Sequence, residues 1–443
     1  MFRLSPDFQA NLQTMRVRST EHPPSQQDID RILANGASET DVHKFKRFLR
    51  RMRMGFFLDS QNRPLSARQR LVNQYKQDGL VLFLGAGVSV ESGVPNWPVL
   101  VNRVLLKSGI ARRDLSQIER SLNTYITRFE LAGLRAGNRV QFVKALYESL
   151  YSGVKCRGVL EQIPKKYEKQ IGWPGWTRVL RCLESNKTLA TVGNLLIVHS
   201  QRKPRRNPQI HAVLTFNADN LLELYCRALT KGRHIITMVD RASVGDHPDR
   251  LSVYHLHGVL DVRGENIFRC PPQSVPVDTL QILTEDLLPD LVFRESEYYE
   301  AIANPVSFVN HTPQSFLRRL NALFIGTSLD DLNMRRWLHD SFRERVEHRA
   351  NYLREFYWEK FPAAEYEARL ESLRHFWLRP EAEKGMNNKN WKVPQAPVNL
   401  VMGNLGVQVV WCHDFKDMRK CIKEVQKFGY DADFDRRPAD YPN

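Results

Sequence analysis

Gly85, Ala86, Gly87 and Ser89 stand just beyond one short apolar run, and Asn217 and Asp219 just beyond a second. His255 and His257 close a third, and Gly326, Thr327 and Ser328 follow a fourth. The runs read LVLFLGAGVS from Leu80, AVLTFNAD from Ala212, SVYHLHG from Ser252 and ALFIGTS from Ala322. Apolar residues that break at once into Gly, Ser, Thr, Asn, Asp or His are what parallel strands look like where they deliver polar groups to one rim. In an open α/β sheet that rim binds ligands, because loops and helix N-termini there present N–H groups to a shared crevice. The chemistry implied is recognition of a nucleotide.

The glycine loop itself excludes two common versions of such a site. Glycines remove Cβ atoms so that backbone can approach a pyrophosphate, and Ser89 adds a hydroxyl. The third glycine of the dehydrogenase fingerprint would fall at Val90, and no acidic residue stands about 20 positions on to hold ribose hydroxyls. Hydride transfer is therefore disfavoured. No Gly-Lys-Ser/Thr appears either, so the loop is not a P-loop.

The elements that would position these residues can be read coarsely. A basic extension, residues 1–75, carries one helical pattern and precedes the first strand. Residues 110–204 are mostly helical, with LSQIERSLNTYITRFELAGL and VQFVKALYESLY clearest and LLIVHS the one candidate strand. An α/β rhythm resumes at His211 with strands AVLTF, HIITMV and SVYHLH. A Pro-bearing irregular stretch and the helical SFLRRLN then lead back to ALFIG. Residues 331–395 read as a second helical insertion, VQVVWC as a last strand and FKDMRKCIKEVQKFG as a last helix. Residues 431–443 form a polar tail.

Composition bounds the rest. A chain of 443 residues, 42% of them hydrophobic, can bury a large core and at about 150 residues per domain allows two or three units, or one domain with insertions. No run of about 18 apolar residues exists and no signal-peptide pattern opens the chain, so a soluble cytoplasmic protein is expected. The six cysteines are scattered, with no Cys-x-x-Cys pair, which predicts buried reduced thiols and no metal. The formal charge of +16 concentrates at Lys44, Lys46, Arg47, Arg50, Arg51 and Arg53 and again around Arg202 to Arg206. Nucleic acid, an acidic partner, a dinucleotide and a merely solvated helix face all remain open as explanations.

Taken together the strand ends resemble the sirtuin superfamily. Its members share GAGxS with a following G-[IV]-P, then TxNxD, HG and GTS, in that order. This chain has GAGVS at Gly85, SGVPNW at Ser92, TFNAD at Thr215, LHG at Leu256 and GTS at Gly326, and the likeness spans roughly Leu71 to Gly429. The resemblance implies an α/β fold, a doubly wound Rossmann-like parallel sheet over residues 76–430 with long helical insertions, that binds NAD. By carry-over, Gly85, Ala86, Gly87 and Ser89 would hold the pyrophosphate, Asn217 and Asp219 would lie near the nicotinamide ribose, and His257 would be the base. Gly326, Thr327 and Ser328 would meet the adenosine half, and Trp411 and Cys412 would border the adenine.

Departures from the family's protein deacylases sharpen that expectation. Those enzymes carry Gln where this chain has Phe216, Asp-Phe-Arg where it has Asn96-Trp97-Pro98, and a four-Cys zinc ribbon that it cannot build. The pattern looks like the sirtuin-like NAD-consuming effectors of bacterial anti-phage defence. It implies an NAD glycohydrolase, with Asn217 and His257 catalytic, no metal, a homo-oligomer, and an accessory protein such as a helicase-like translocase as a partner class. Two alternatives stand beside it: an NAD-dependent protein deacylase, and a nucleotide-sensing assembly protein that docks nucleic acid or a translocase.

Overall fold

The computed structural model describes residues 66–163, 171–200, 210–233, 235–239, 250–263, 291–357, 368, 372–384, 390–392 and 395–429. The basic clusters at Lys44–Arg53 and Arg202–Arg206, the polar tail and Cys270 lie outside them.

Seven strands form one parallel sheet in the order β3-β4-β2-β1-β5-β6-β9. They are β1 Leu80–Leu84, β2 Ile210–Thr215, β3 Ile236–Val239, β4 Leu251–His255, β5 Ala322–Ile325, β6 His375–Pro380 and β9 Val407–Cys412. A small antiparallel pair, β7 Ala382–Lys384 and β8 Asn390–Lys392, stands apart from it. β1 is buried at every position because both faces of the sheet are covered, as an all-parallel sheet requires. Its side chains alternate accordingly. Leu80, Leu82 and Leu84 pack into one core, and Val81 and Phe83 into the other.

Helices on the first face include α1 Ala67–Asp78, α2 Trp97–Lys107, α4 Tyr125–Ala136, α5 Arg139–Tyr151, α6 Gly175–Leu183, α7 Lys187–Ser200, α8 Leu221–Leu229 and α13 Phe415–Gly429; the short α3 Leu115–Ser121 packs at its edge. The opposite core takes residues from α10 Phe308–Arg319, α11 Leu332–Tyr357 and α12 Gln395–Gly403. α9 Glu295–Ala303 bridges α4 and α10. The sheet is therefore wound on both faces, as expected.

β1 sits where the winding changes direction, with β2 on one side and β5 on the other. Loops leaving β1 and β5 diverge from that point, which is the general ligand position in such sheets.

Three expectations are corrected. LLIVHS is the C-terminal half of α7, since nothing in its apolar run distinguishes a buried helix from a strand. The segment read as a helical insertion from residue 331 is helical over Leu332–Tyr357 but also supplies β6, an internal strand of the sheet. Cys156 and Cys182 are joined as a disulfide across 26 residues, whereas Cys226, Cys412 and Cys421 are free and buried. That pairing joins the end of a turn after α5 to the last turn of α6, a proximity created by packing.

Candidate active site

The loop after β1 is held by the loop after β5. The Gly85 amide donates to the Ile325 carbonyl at 3.0 Å and the Gly87 amide to the Gly326 carbonyl at 2.9 Å. Val88 and Ser89 amides return to Gly85 and Ala86 carbonyls as the loop coils into a single tight turn. A Cβ on Gly85 would stand 2.5 Å from the Gly326 oxygen, and one on Gly87 2.8 Å from the Gly326 Cα. Gly326 itself has φ +68, in the left-handed region that glycine adopts without penalty. The three glycines thus exist first to let two strand-end loops touch.

Behind that contact, a buried polar cluster ties β1, β2 and α8 together. Ser89 Oγ donates to Asp219 Oδ1 at 3.0 Å, and the same oxygen accepts the Leu221 amide at 3.2 Å, capping α8. Burial pushes the Asp219 carboxyl up to about 6, against the opposing pull of those two hydrogen bonds. Asn220 Oδ1 accepts the Val262 amide instead. Asp219 and Ser89 therefore support one another.

Asn217 is the residue this cluster presents. Its amide nitrogen donates to the Gly85 carbonyl at 3.1 Å and lies 3.4 Å from Ser89 Oγ, while its backbone amide donates to Thr215 Oγ1 at 3.0 Å. Its side-chain oxygen is buried with no partner. A buried acceptor left unmatched is costly and rare, and a ligand donor or a water is the usual resolution.

The two histidines part company after β4. His255 is the strand's last residue; its Nδ1 faces the Asn217 carbonyl at 2.9 Å and its Nε2 faces Glu223 Oε1, from α8, at 2.7 Å. Burial pulls its pKa down, but Glu223 and the Asn217 carbonyl outweigh burial and leave it raised. Gly258, at φ +76, then turns the chain.

His257 is buried among aromatic rings: Phe216 at 5.2 Å, Trp97 at 5.5 Å, Phe293 at 6.0 Å and Tyr298 at 6.5 Å between centroids. That apolar box pushes its pKa down to about 4, only partly opposed by Asp331, so the ring is neutral at neutral pH. Its Nδ1 is buried without a partner. A neutral imidazole with an unclaimed nitrogen can take a proton or hold a water.

The structure brings Asn217, Asp219, Ser89 and the glycine loop into direct contact, and links His257 to them through Phe216. Gly326 joins them by its contact with Gly85 and Gly87. Thr327 is turned to structural work, accepting Trp377 Nε1 on its carbonyl at 2.9 Å and the Leu329 amide on its hydroxyl at 3.3 Å. Ser328 is exposed on the rim. Trp411 stays near that rim beside Arg379, which lies between the Trp377 and Trp411 rings at 4.5 and 5.9 Å. Cys412, expected at the same border, is fully buried in the core instead.

Sequence reasoning missed Glu223, the pairing of His255, and Phe293 with Tyr298. Their only signal was spacing: His255 stands two residues before His257, whereas Phe293 and Tyr298 follow a stretch without periodicity. Asp331 caps α11 by accepting the Met334 amide at 2.8 Å. It also accepts the Tyr298 hydroxyl at 2.6 Å.

A family model described as a SIR2-like domain matches residues 211–391. The chain is similar to that family across β2 to β8, the stretch that carries Asn217, Asp219, His257 and the Gly326 turn. This match fits an NAD-utilising enzyme. It leaves out the GAGVS loop, which the sheet nevertheless sets against the matched Gly326 turn at 2.9 Å. No curated protein matches the chain. Among the described residues no group of three or more His, Cys, Asp or Glu could hold a metal ion, and no helix is long and apolar enough to cross a membrane.

Proposed function

We propose that the protein is an NAD glycohydrolase, cleaving the nicotinamide–ribose bond to give nicotinamide and ADP-ribose. The observation that carries this reading is the pair of unpartnered buried polar atoms, Asn217 Oδ1 and His257 Nδ1, on the loops that leave β2 and β4. Nicotinamide leaves NAD as a neutral group from a cationic pyridinium, so its C–N bond breaks through an oxocarbenium-like state without the carboxylic acid that ordinary glycosides need. No carboxylate pair is required. What is required is a polar group to orient the ribose or a water and a neutral base beside it. Asn217, its nitrogen fixed by Gly85, offers its oxygen for the first task, and His257 offers its free nitrogen for the second.

The aromatic box around His257 supports hydrolysis over deacylation. Phe216 occupies the position where the deacylases carry Gln, and together with Trp97 it keeps bulk water from the ring. The cysteines cannot form a zinc ribbon, which weakens the case for an acyl-lysine cleft. The same departures support an NAD-depleting effector of the anti-phage type.

Mass spectrometry of NAD incubated with the protein tests the reading. Nicotinamide and ADP-ribose should appear with no acylated peptide present, and Asn217→Ala and His257→Ala should each lower kcat by about 10²- to 10⁴-fold while remaining folded by circular dichroism. Release that depends on an acyl-lysine peptide and yields O-acyl-ADP-ribose would make the protein a deacylase. Intact NAD, or full activity in both variants, would remove the proposal.

A further inference from the structure

His255 stands between two acceptors. Its Nδ1 is 2.9 Å from the Asn217 backbone carbonyl and its Nε2 is 2.7 Å from a Glu223 carboxylate oxygen. A neutral imidazole carries one N–H and can satisfy only one of them. The ring is 1% exposed and Glu223's side chain 14%, so water cannot readily supply the missing donor. Both contacts are satisfied together only if the pair holds one more proton than a neutral ring and a carboxylate would.

We propose that Glu223 and His255 form a charged positioning pair, in which the His255 imidazolium grips the Asn217 carbonyl and thereby fixes the loop that presents the Asn217 amide. The inference rests on the role given to Asn217 above. His255 is a positioning residue: it touches the backbone of Asn217 and acts through it. Three links run in series, from α8 through Glu223, the β4 end through His255, and the β2 end through Asn217, whose side chain then reaches the β1 loop at Gly85. The pair ties together the three strand ends that carry the site.

A pH dependence follows. The charged or titratable groups facing the ring are Glu223 from α8 and Asp219 from the loop before it, with His257 two residues along its own turn. Both carboxyl groups favour the imidazolium when ionised. As pH rises past the raised pKa of His255, the proton leaves and Glu223 holds the remaining N–H by charge. The Asn217 carbonyl then loses its donor and kcat falls. Glu223→Gln removes the charge that opposes burial, so the ring should become neutral; the Gln amide can then donate to Nε2, the Nδ1–H stays on the Asn217 carbonyl at every pH, and the alkaline limb of kcat should disappear, with KM for NAD changed little.

The test pairs kinetics with ¹⁵N spectra of the histidine rings and of the Asn217 side-chain amide, in wild type and E223Q. Expected are two protonated ring nitrogens on His255 at pH 7 in wild type and one, Nδ1, in E223Q; an Asn217 amide resonance that shifts along the alkaline limb in wild type and not in E223Q; and loss of that limb in E223Q. His255→Gln, neutral at every pH, serves where E223Q folds poorly; it should lower kcat and abolish the limb. A singly protonated His255 in wild type at pH 7, or an E223Q protein that keeps the wild-type alkaline limb and the wild-type pH dependence of the Asn217 resonance, overturns the proposal. Wild-type protein that leaves NAD intact would sink the glycohydrolase reading alone, because the spectra decide the pair without turnover.

Discussion

At the scale of single residues, the site is a set of buried polar groups whose protonation is set by their surroundings, and two of them oppose each other. Asp219 goes from an ordinary 3.8 to about 6 in the fold, so the folded state holds its proton more tightly than the unfolded chain does. Its contribution to stability is fully present below about pH 4 and is lost as pH rises through about 6. His257 goes from 6.5 down to about 4, so its contribution is present above 6.5 and is lost as pH falls through 4. Each is on the order of 3 kcal/mol, and over the same window they largely cancel. Asp219→Asn keeps an acceptor for Ser89 and removes one member of the balance: relative to wild type, its stability should rise as pH goes from about 4 to 6. His257→Gln should show the opposite trend. Urea midpoints measured at several pH values check both, and parallel slopes in the two variants would contradict the burial assigned to these groups. Asn217, Asp219 and His257 were singled out by their motif positions. The His255–Glu223 contact was not, because it depends on α8 folding back over the end of β4, a tertiary fact with no local pattern.

Elements explain why glycine rather than a small side chain stands at the loop contact. Gly326 combines φ +68 with a Cβ position 2.8 Å from the Val88 nitrogen, whereas Gly109, after α2, has φ +87 and nothing within 4 Å. Gly109→Ala pays only the left-handed strain, about 1–2 kcal/mol. Gly326→Ala pays that and the displacement of the β1 loop, about 1–3 kcal/mol more. The expectation is a modest loss of thermal stability for the first with activity retained, and a larger loss for the second with NAD cleavage abolished. Thermal melts and the NAD assay on both variants separate backbone strain from loop packing; equal effects would deny the close approach. The strands around this contact were readable because parallel strands covered on both faces are apolar throughout and end in breakers. β6 was hidden for a different reason. HFWLRP lies in a region dense with Arg and Glu, and its polar members have specific partners: His375 accepts the Ala322 amide on Nδ1 and faces an Arg345 guanidinium nitrogen with Nε2, and Arg379 lies over Trp377. Cys156 and Cys182 were hidden likewise, since 26 residues of sequence say nothing of the packing between the α5 end and α6.

For the whole molecule, chain order and sheet order disagree, and that disagreement decides what can fold alone. The stretch similar to a SIR2-like domain, residues 211–391, contributes nearly all of β2 and the whole of β3, β4, β5 and β6, yet β2 and β5 are not neighbours. Between them lies β1, supplied from residues 80–84, which pairs with β2 through Leu80–Leu84 and with β5 through Val81–Leu84. A fragment limited to 211–391 would leave two apolar strand edges facing a gap in the middle of the sheet, and unpaired edges of that kind recruit other chains. It would also lose the Gly85 carbonyl that holds Asn217 and the Ser89 hydroxyl that holds Asp219. Such a fragment should be aggregated or rapidly digested in limited proteolysis, whereas the full chain should stay soluble and give a cooperative melt. A soluble, cooperatively folding 211–391 would mean that β1 is dispensable and that the sheet order is not as described. The site belongs to no single stretch of sequence: Gly85 and Gly87 precede a long helical stretch, and Gly326, the Asn217 amide and the His257 imidazole follow it, so the sheet has to close before there is a site at all.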